Sequence, residues 1–127
     1  MKTAIQIQKA FGNKLVGNKK MKYFVCSVLL KMPDETIDYI TKTCWFMASF
    51  DDAFAFTFTG NDLKDKHLVF LSDELMVQPA AQIRFTIAHE VGHVILKHRN
   101  SVFENQTKIE IKQQEKEANE FAMKFAN

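Results

Sequence analysis

The stretch Ala81-Gln82-Ile83-Arg84-Phe85-Thr86-Ile87-Ala88-His89-Glu90-Val91-Gly92-His93-Val94-Ile95-Leu96-Lys97-His98 predicts the helix around which the chain is arranged. Its apolar residues recur at three- and four-residue steps, as a buried helix face requires: Ile83, Ile87, Val91, Val94 and Ile95. Pro79 suits the first turn of this helix, and Asn100 suits its end. Gly92 costs roughly 1 kcal/mol of helix propensity relative to alanine, which close packing of another element at that point would explain.

Within this helix, residues 89–93 have the pattern H-E-x-x-H. Two histidines four residues apart lie on one helix face, so both imidazoles can bind a single Zn²⁺. Glu90 then lies near the remaining coordination position, where it can take a proton from a water and pass it to a leaving nitrogen. The chain has only four histidines, and this spacing around a glutamate favours a metal site over incidental histidines. The pattern predicts His89 and His93 as metal ligands and Glu90 as the catalytic base.

A third ligand is expected from a second helix near the C-terminus. Four apolar residues there form a stripe of helical period: Ala118, Phe121, Ala122 and Phe125. Glu117 lies four residues before Phe121 and borders this stripe, and no cation lies three or four residues away to form a helix ion pair with it. Glu117 is therefore predicted to complete a His₂Glu site with an open position. Glu115 and Glu120 lie further from the stripe and are expected to be solvated. If Glu117 does not bind the metal, Glu110 or Glu120 is the next candidate for the third ligand.

Residues 84–93, R-F-T-I-A-H-E-V-G-H, followed by residues 117–122, E-A-N-E-F-A, resemble the ImmA/IrrE family of zinc metallopeptidases. The resemblance covers roughly residues 67–126. It implies a gluzincin-like fold, in which a small sheet packs beside the active-site helix and the glutamate helix. It also implies that His89, His93 and Glu117 bind zinc and that Glu90 is the catalytic base. Several members of that family cleave a helix-turn-helix transcriptional repressor, so the resemblance implies a protein substrate. The chain itself has no recognisable helix-turn-helix.

The length of 127 residues predicts a single domain, residues 1–127. Hydrophobic residues make up 46% and charged residues 25% of the chain, as in ordinary globular proteins. No apolar run approaches the ~20 residues that a membrane-spanning helix needs, and the N-terminus lacks the apolar stretch of a signal peptide. Cys26 and Cys44 fit no metal-binding spacing, so they are expected to be buried free thiols of a cytoplasmic protein.

The lysines are concentrated at the N-terminus. Residues 1–31 contain seven lysines and no acidic residue, so the remainder has ten basic and fifteen acidic residues, a net charge of −5. Such a segment can contact nucleic acid or an acidic partner. It has no arginine and few interleaved aromatic residues, which favours a solvated lysine-rich surface instead. Direct nucleic-acid binding is not expected, and the sequence does not predict the oligomeric state.

The order of predicted elements indicates an α+β fold with a small antiparallel or mixed sheet. Residues 13–30 are predicted to form a hairpin, and a helix is expected from Asp34. Its apolar face is predicted from the spacing of four residues: Ile37, Ile40, Cys44 and Met47. Strands at 53–59 and 67–71 are expected to pair across the turn at 60–62, followed by the two helices described above. Strand 67–71 either edges the active-site cleft, where an extended substrate can pair with it, or lies in the core.

Two further histidines are candidates for stabilising the oxyanion that forms when water adds to a carbonyl. His98 lies five residues after His93, so it faces away from the ligands and suits a cation at the helix end. His67 opens a strand and is the better candidate.

Two functions follow from these residues. The first is a zinc endopeptidase with a narrow protein substrate. The second is a non-catalytic interaction domain of a mobile-element or toxin–antitoxin system, in which zinc only joins the two helices. The first is favoured, because a structural zinc site does not need Glu90 and usually has four protein ligands. A protease of the SprT-like kind is disfavoured, since it requires a third histidine downstream and His98 is too close.

Overall fold

The computed structural model describes residues 2–49, 55–58, 66–97 and 107–125, with only the backbone of Phe56 and Phe58. The helices of these ranges are α1 (Ala4–Phe11), α2 (Lys19–Leu29), α3 (Asp34–Thr43), α4 (Asp73–Met76), α5 (Ala80–Ile95) and α6 (Lys108–Phe125). The strands are β1 (Leu15–Val16), β2 (Cys44–Ser49), β3 (Ala55–Phe58) and β4 (His67–Ser72). A 3₁₀ turn, Gly12–Lys14, joins α1 to β1.

The four strands form one mixed sheet in the order β1-β2-β4-β3. β1 and β4 run parallel to β2, whereas β3 pairs antiparallel with β4, so that Thr57 is opposite Val69. The predicted α+β class is therefore confirmed. The predicted pairing of the strands near 53–59 and 67–71 is also confirmed for Ala55–Phe58, while the turn at 60–62 lies outside the described residues.

One face of the sheet is buried under the helices. Side chains alternate along a strand, and five alternating residues of β2 and β4 are buried on this face: Cys44, Phe46, His67, Val69 and Leu71. The buried face of α5 packs into the same core through Ile83, Ile87 and Val91, each at most 1% exposed. The predicted apolar face of this helix is therefore confirmed, with Ile95 only partly buried.

The predicted hairpin at residues 13–30 is wrong, because residues 19–29 form helix α2. The run Tyr23–Leu30 contains strand-forming residues, but the buried residues of α2 recur at helical spacing: Met21, Phe24, Val25, Cys26, Val28 and Leu29. Asn18 caps the start of this helix, since its Oδ1 accepts a hydrogen bond from the Met21 amide at 2.9 Å. The lysine-rich N-terminal segment thus contributes two helices, α1 and α2, to the core.

The helix that begins at Asp34 is present, but it ends earlier than its apolar spacing predicted. Ile37 and Ile40 are buried on α3 as expected, whereas Cys44 and Met47 belong to strand β2. Asp34 does not cap the helix; the N-cap residue is Pro33, with no side-chain hydrogen bond. Four residues at three- and four-residue steps cannot by themselves distinguish one long helix from a helix followed by a strand.

The two cysteines are free and buried, as predicted. Cys26 is on α2 and Cys44 is the first residue of β2. Burial raises the pKa of Cys26 to about 11 and that of Cys44 to about 12. Both groups therefore stay as neutral thiols in the folded chain at physiological pH, and they behave as small apolar residues.

Helix α6 packs against α5 at Gly92. A Cβ placed on Gly92 would lie 3.1 Å from Cδ1 and 3.2 Å from Cβ and Cγ of Phe121. Glycine therefore allows the two helices to approach closely, which accounts for a residue that weakens the helix by itself.

We expect Gly92→Ala to lower the free energy of unfolding by about 1 kcal/mol, because overpacking costs about 1–3 kcal/mol and helix propensity returns only about 1 kcal/mol. Urea denaturation would measure this. Ala81→Gly, at an exposed position of α5, isolates the propensity effect. A Gly92→Ala protein more stable than the wild type would contradict the close approach at Phe121.

Candidate metal centre

Helix α5 carries His89, Glu90 and His93 to a cleft between β3 and α6. Ile87, Val91 and Val94 face the core, so the two histidines lie on the side of the helix next to α6. Their side chains are 14% and 13% exposed. The imidazole rings are perpendicular to each other, with centroids 4.7 Å apart. The i,i+4 spacing thus brings both Nε2 atoms to one point at the cleft wall.

The carboxylate of Glu115, on α6, lies against both imidazoles. One oxygen is 2.8 Å from His89 Nε2 and the other is 3.2 Å from His93 Nε2. The two Nε2 atoms are 3.1 Å apart. One ligand atom from each of the three residues lies within 4.8 Å of the others, which is compatible with binding a single cation. The cluster consists of two imidazole nitrogens and a carboxylate, a common ligand set for catalytic zinc.

Asn119 orients the ring of His89 and selects its tautomer. Its side-chain oxygen lies 2.8 Å from His89 Nδ1. A carbonyl oxygen only accepts hydrogen bonds, so Nδ1 carries the hydrogen and donates it. In the neutral ring, Nε2 then presents a lone pair toward the carboxylate of Glu115. Such a hydrogen bond on the far nitrogen is the usual device that orients a histidine ligand.

Glu90 is buried beside this cluster, with 4% of its surface exposed. Its Oε1 accepts a hydrogen bond of 2.9 Å from the hydroxyl of Thr57 on β3, and its Oε2 lies 3.8 Å from His89 Nε2. Burial raises the pKa of Glu90 to about 7, the Thr57 hydroxyl opposes this rise, and the negative charge of Glu115 adds to it. A carboxylate with a pKa near neutrality is suited to exchange protons during a reaction.

The cleft in front of these groups has a volume of about 310 Å³. Thr57 and Ala55 of β3 line one wall, and Glu115 and Asn119 of α6 line another. Phe85 stacks beside His89, with ring centroids 6.4 Å apart, and extends the cleft toward the N-terminus of α5. The cleft thus combines a cluster of candidate metal ligands, a buried carboxylate and an apolar surface.

The structure brings Glu115, and not the predicted ligand Glu117, to the two histidines. Glu117 is partly buried, and its Oε2 accepts a hydrogen bond from Gln113 at 3.3 Å. Successive residues of a helix are rotated by about 100° around its axis. Viewed along this axis, Glu115 and Asn119 lie on one side of the line through Ala118 and Ala122. Glu117 lies on the other side, about 100° from Ala118. Glu115 was expected to be solvated; its side chain is 53% exposed, yet its carboxylate contacts both rings.

The alternatives Glu110 and Glu120 lie on exposed positions of α6. Glu110 Oε1 accepts a hydrogen bond from Thr107 in the first turn of that helix. Neither residue belongs to the cluster around His89 and His93 that the described residues form.

His67 is away from the cleft. It is buried on β4, and its Nε2 lies 2.9 Å from the hydroxyl of Tyr39. Among the described residues it is not part of the cleft wall, so its proposed role at the oxyanion has no geometric support. His98 and Asn100 lie outside the described residues.

The strand nearest the cleft is β3. β4 lies between β2 and β3, so it is not an edge of the sheet, and strand 67–71 is a core strand. β3 forms one end of the described sheet and contributes Ala55 and Thr57 to the cleft.

Residues 72–126 match the family model described as Peptidase U49. This range contains α5 and α6, and with them all three residues of the cluster and Glu90. The match indicates a peptidase family and supports peptidase activity in general. It covers less than half of the chain and does not address the more specific resemblance to ImmA/IrrE. A search of curated proteins and a search of solved structures found no match.

Within the described ranges, α-helices are either too short or too polar to cross a lipid bilayer.

The raised pKa of Glu90 predicts a pH-dependent stability. Between the ordinary value of 4.5 and the folded value of about 7, the folded chain holds a proton that the unfolded chain has released. The free energy of unfolding therefore falls as the pH rises through this window. Glu90→Gln lacks this titration, so its stability advantage over the wild type should be larger at pH ~8 than at pH ~5, by up to about 3 kcal/mol.

Urea denaturation at both pH values in a chelating buffer would measure this difference. Glu110→Gln, at an exposed position of α6, controls for the removal of one negative charge. If the difference in free energy of unfolding between Glu90→Gln and the wild type is the same at both pH values, burial does not raise the pKa of this carboxyl group as described.

Proposed function

We propose that the chain is a zinc-dependent endopeptidase of narrow specificity. The observation that carries this proposal is the position of a buried carboxylate, Glu90, directly beside a His₂Glu cluster in an open cleft. The Peptidase U49 match supports peptide hydrolysis in general, and the cluster supports a metal-dependent form of it. The metal ligands in this proposal are His89, His93 and Glu115.

The cluster fits a divalent cation on electrostatic grounds. The hydrogen bond to Asn119 directs the lone pair of His89 Nε2 toward a carboxylate oxygen only 2.8 Å away. The Nε2 atom of His93 lies 3.1 Å from His89 Nε2. Such a concentration of acceptor groups is stabilised by a cation, and nitrogen with one carboxylate is a donor set that zinc prefers over calcium or magnesium.

A bound zinc ion supplies Lewis-acid chemistry: it polarises a carbonyl oxygen and lowers the pKa of water to about 7. Glu90 acts as general base in the proposed reaction. Its carboxylate takes a proton from the water that attacks the peptide carbonyl carbon, and it then gives that proton to the leaving nitrogen. Thr57 holds Glu90 in place through the 2.9 Å hydrogen bond. Asn119 acts as a positioning residue, since it orients the ring of His89.

The substrate in this proposal is an extended protein segment that pairs with β3. An extended peptide can add a strand to an exposed sheet edge through main-chain hydrogen bonds. β3 is at the end of the described sheet, and Ala55 and Thr57 place it along the cleft wall. A peptide paired with β3 passes in front of His89 and Glu90. The substrate that the ImmA/IrrE resemblance implies is a cytoplasmic regulatory protein such as a helix-turn-helix repressor.

Glu115→Ala and Glu117→Ala distinguish the two candidate third ligands. We expect about one zinc per chain in the wild type and in Glu117→Ala, and at least a tenfold weaker zinc affinity in Glu115→Ala, because only Glu115 contacts both histidines. Native mass spectrometry at controlled free zinc would measure occupancy. The opposite pattern would restore Glu117 as the ligand, and full occupancy in both variants would exclude Glu115 and Glu117 and leave Glu110 or Glu120 as the next candidates.

Glu90→Gln tests the chemistry separately from metal binding. We expect this variant to retain zinc and to lose at least about a thousandfold in cleavage rate, as expected when a general base and its charge are removed. Cleavage would be detected as new protein N-termini after incubation with a native cell extract from the source organism. Glu120→Gln, which removes the charge of an exposed glutamate on α6, is the matched control.

Unchanged cleavage by Glu90→Gln would refute its role as base. Full zinc occupancy without any zinc-dependent cleavage by the wild type would favour the non-catalytic interaction domain instead.

A further inference from the structure

We propose that the groove between α1 and α2 is a docking site for an acidic amphipathic helix of a protein partner. This α1–α2 groove is defined by Ile5, Gln8 and Lys9 of α1 and by Lys19, Lys22 and Tyr23 of α2. It shares no lining residue with the cleft at His89. The inference concerns binding and does not depend on peptidase activity.

The groove is a concave surface of sufficient length for a helix. Two cavities of about 390 and 430 Å³ lie along it, and Ile5, Gln8 and Lys22 line both of them. α2 has 11 residues, which is about 16 Å at 1.5 Å per residue. The groove can therefore accommodate about three turns of a partner helix, in the manner of helix-in-groove recognition.

Large apolar side chains at the groove are exposed. Ile5 is 70% exposed and Tyr23 is 60% exposed. The opposite sides of the same helices are in the core, where Ile7, Phe11 and Val25 are fully buried. Ile5 and Tyr23 are thus separate from the apolar residues that pack α1 and α2 into the core. Exposed apolar residues grouped on a concave surface are typical of sites that contact another molecule.

The groove is also positively charged. Lys9, Lys19 and Lys22 surround it, in a segment that contains no acidic residue from residue 1 to residue 31. Two other lysines of that segment interact elsewhere in the fold: Lys2 forms an ion pair with Asp38 at 3.2 Å, and Lys20 donates to the backbone oxygen of Met76. Within the described part of the chain, no carboxylate lies in ion-pair contact with the three lysines of the groove.

These features together favour one class of partner. An apolar centre with a lysine rim is complementary to a helix that carries aliphatic or aromatic residues on one face and Asp or Glu on its flanks. Duplex DNA would contact the lysine rim through its phosphates and would leave the 70% exposed Ile5 without an apolar partner. A lipid surface is best contacted by a convex apolar face, whereas this surface is concave.

Binding would be measured with a fluorescein-labelled, helix-forming peptide of about 15 residues, with leucine at i, i+3, i+4 and i+7 positions and glutamate on both flanks. The protein would be Glu90→Gln, so that the probe stays intact and the result does not depend on catalysis. We expect micromolar affinity in fluorescence anisotropy, weakened by added salt. The ¹⁵N-amide shifts that the peptide changes should be confined to residues 4–30.

A triple charge reversal, Lys9→Glu, Lys19→Glu and Lys22→Glu, should weaken binding at least about tenfold. The matched control reverses three exposed lysines outside the groove, Lys31, Lys42 and Lys66, and should change affinity less than about twofold. Tyr23→Ser should also weaken binding about tenfold, whereas Val77→Ser, at a residue that is 75% exposed elsewhere, should not.

Three results would overturn the proposal. The first is no binding of the acidic peptide; the second is equal loss in the groove and control triple variants. The third is a preference for duplex DNA or for phosphatidylserine vesicles over the peptide at the same ionic strength. Circular dichroism of each variant would confirm its helical fold. If the triple variant of the groove does not fold, its loss of binding is disregarded and Tyr23→Ser decides the test.

Discussion

The close packing of α6 on α5 at Gly92 is the constraint on which the candidate metal centre depends. α5 supplies His89, Glu90 and His93 from a single helix, and their relative positions follow from its 3.6-residue period. The remaining groups of the cluster come from α6, so their positions depend on the distance and rotation of that helix. Phe121 lies against Gly92 on one side of the α6 contact, and Glu115 and Asn119 meet the histidines on the other side.

Local pattern was sufficient to predict the elements that have one clear period. The α5 face, the pairing of β3 with β4 and the two C-terminal helices all followed from spacing in the sequence. The pattern failed where one run of residues suits two structures. Tyr23–Leu30 combines β-forming residues with helical burial, and tertiary packing decided in favour of α2. Cys44 and Met47 continue a helical spacing that the chain leaves at Thr43.

The site was predictable as far as it lies on one helix. His89, Glu90 and His93 come together as their spacing indicated, whereas the third group depends on the rotation of a second helix. Glu115 and Glu117 both border the apolar stripe of α6, on opposite sides, and only the docking of α6 selects between them. A signal was present in the sequence, because Glu115 and Asn119 are four residues apart, the same spacing as the two histidines. Thr57 is 33 residues from Glu90, and no local pattern connects them.

The small side chains that α6 buries have a consequence for the motion of this helix. Its fully buried residues, within the described range, are Ala118 and Ala122, which release little apolar surface from water compared with leucine or phenylalanine. Separation of α6 from the rest of the fold therefore exposes little apolar surface beyond the partly buried rings of Phe121 and Phe125, and it is a local event of lower energy than global unfolding. A cation held by residues of both helices would favour the docked arrangement by mass action. Metal availability would then control how often the cleft loses one of its walls, and amide hydrogen exchange in α6 would report that equilibrium.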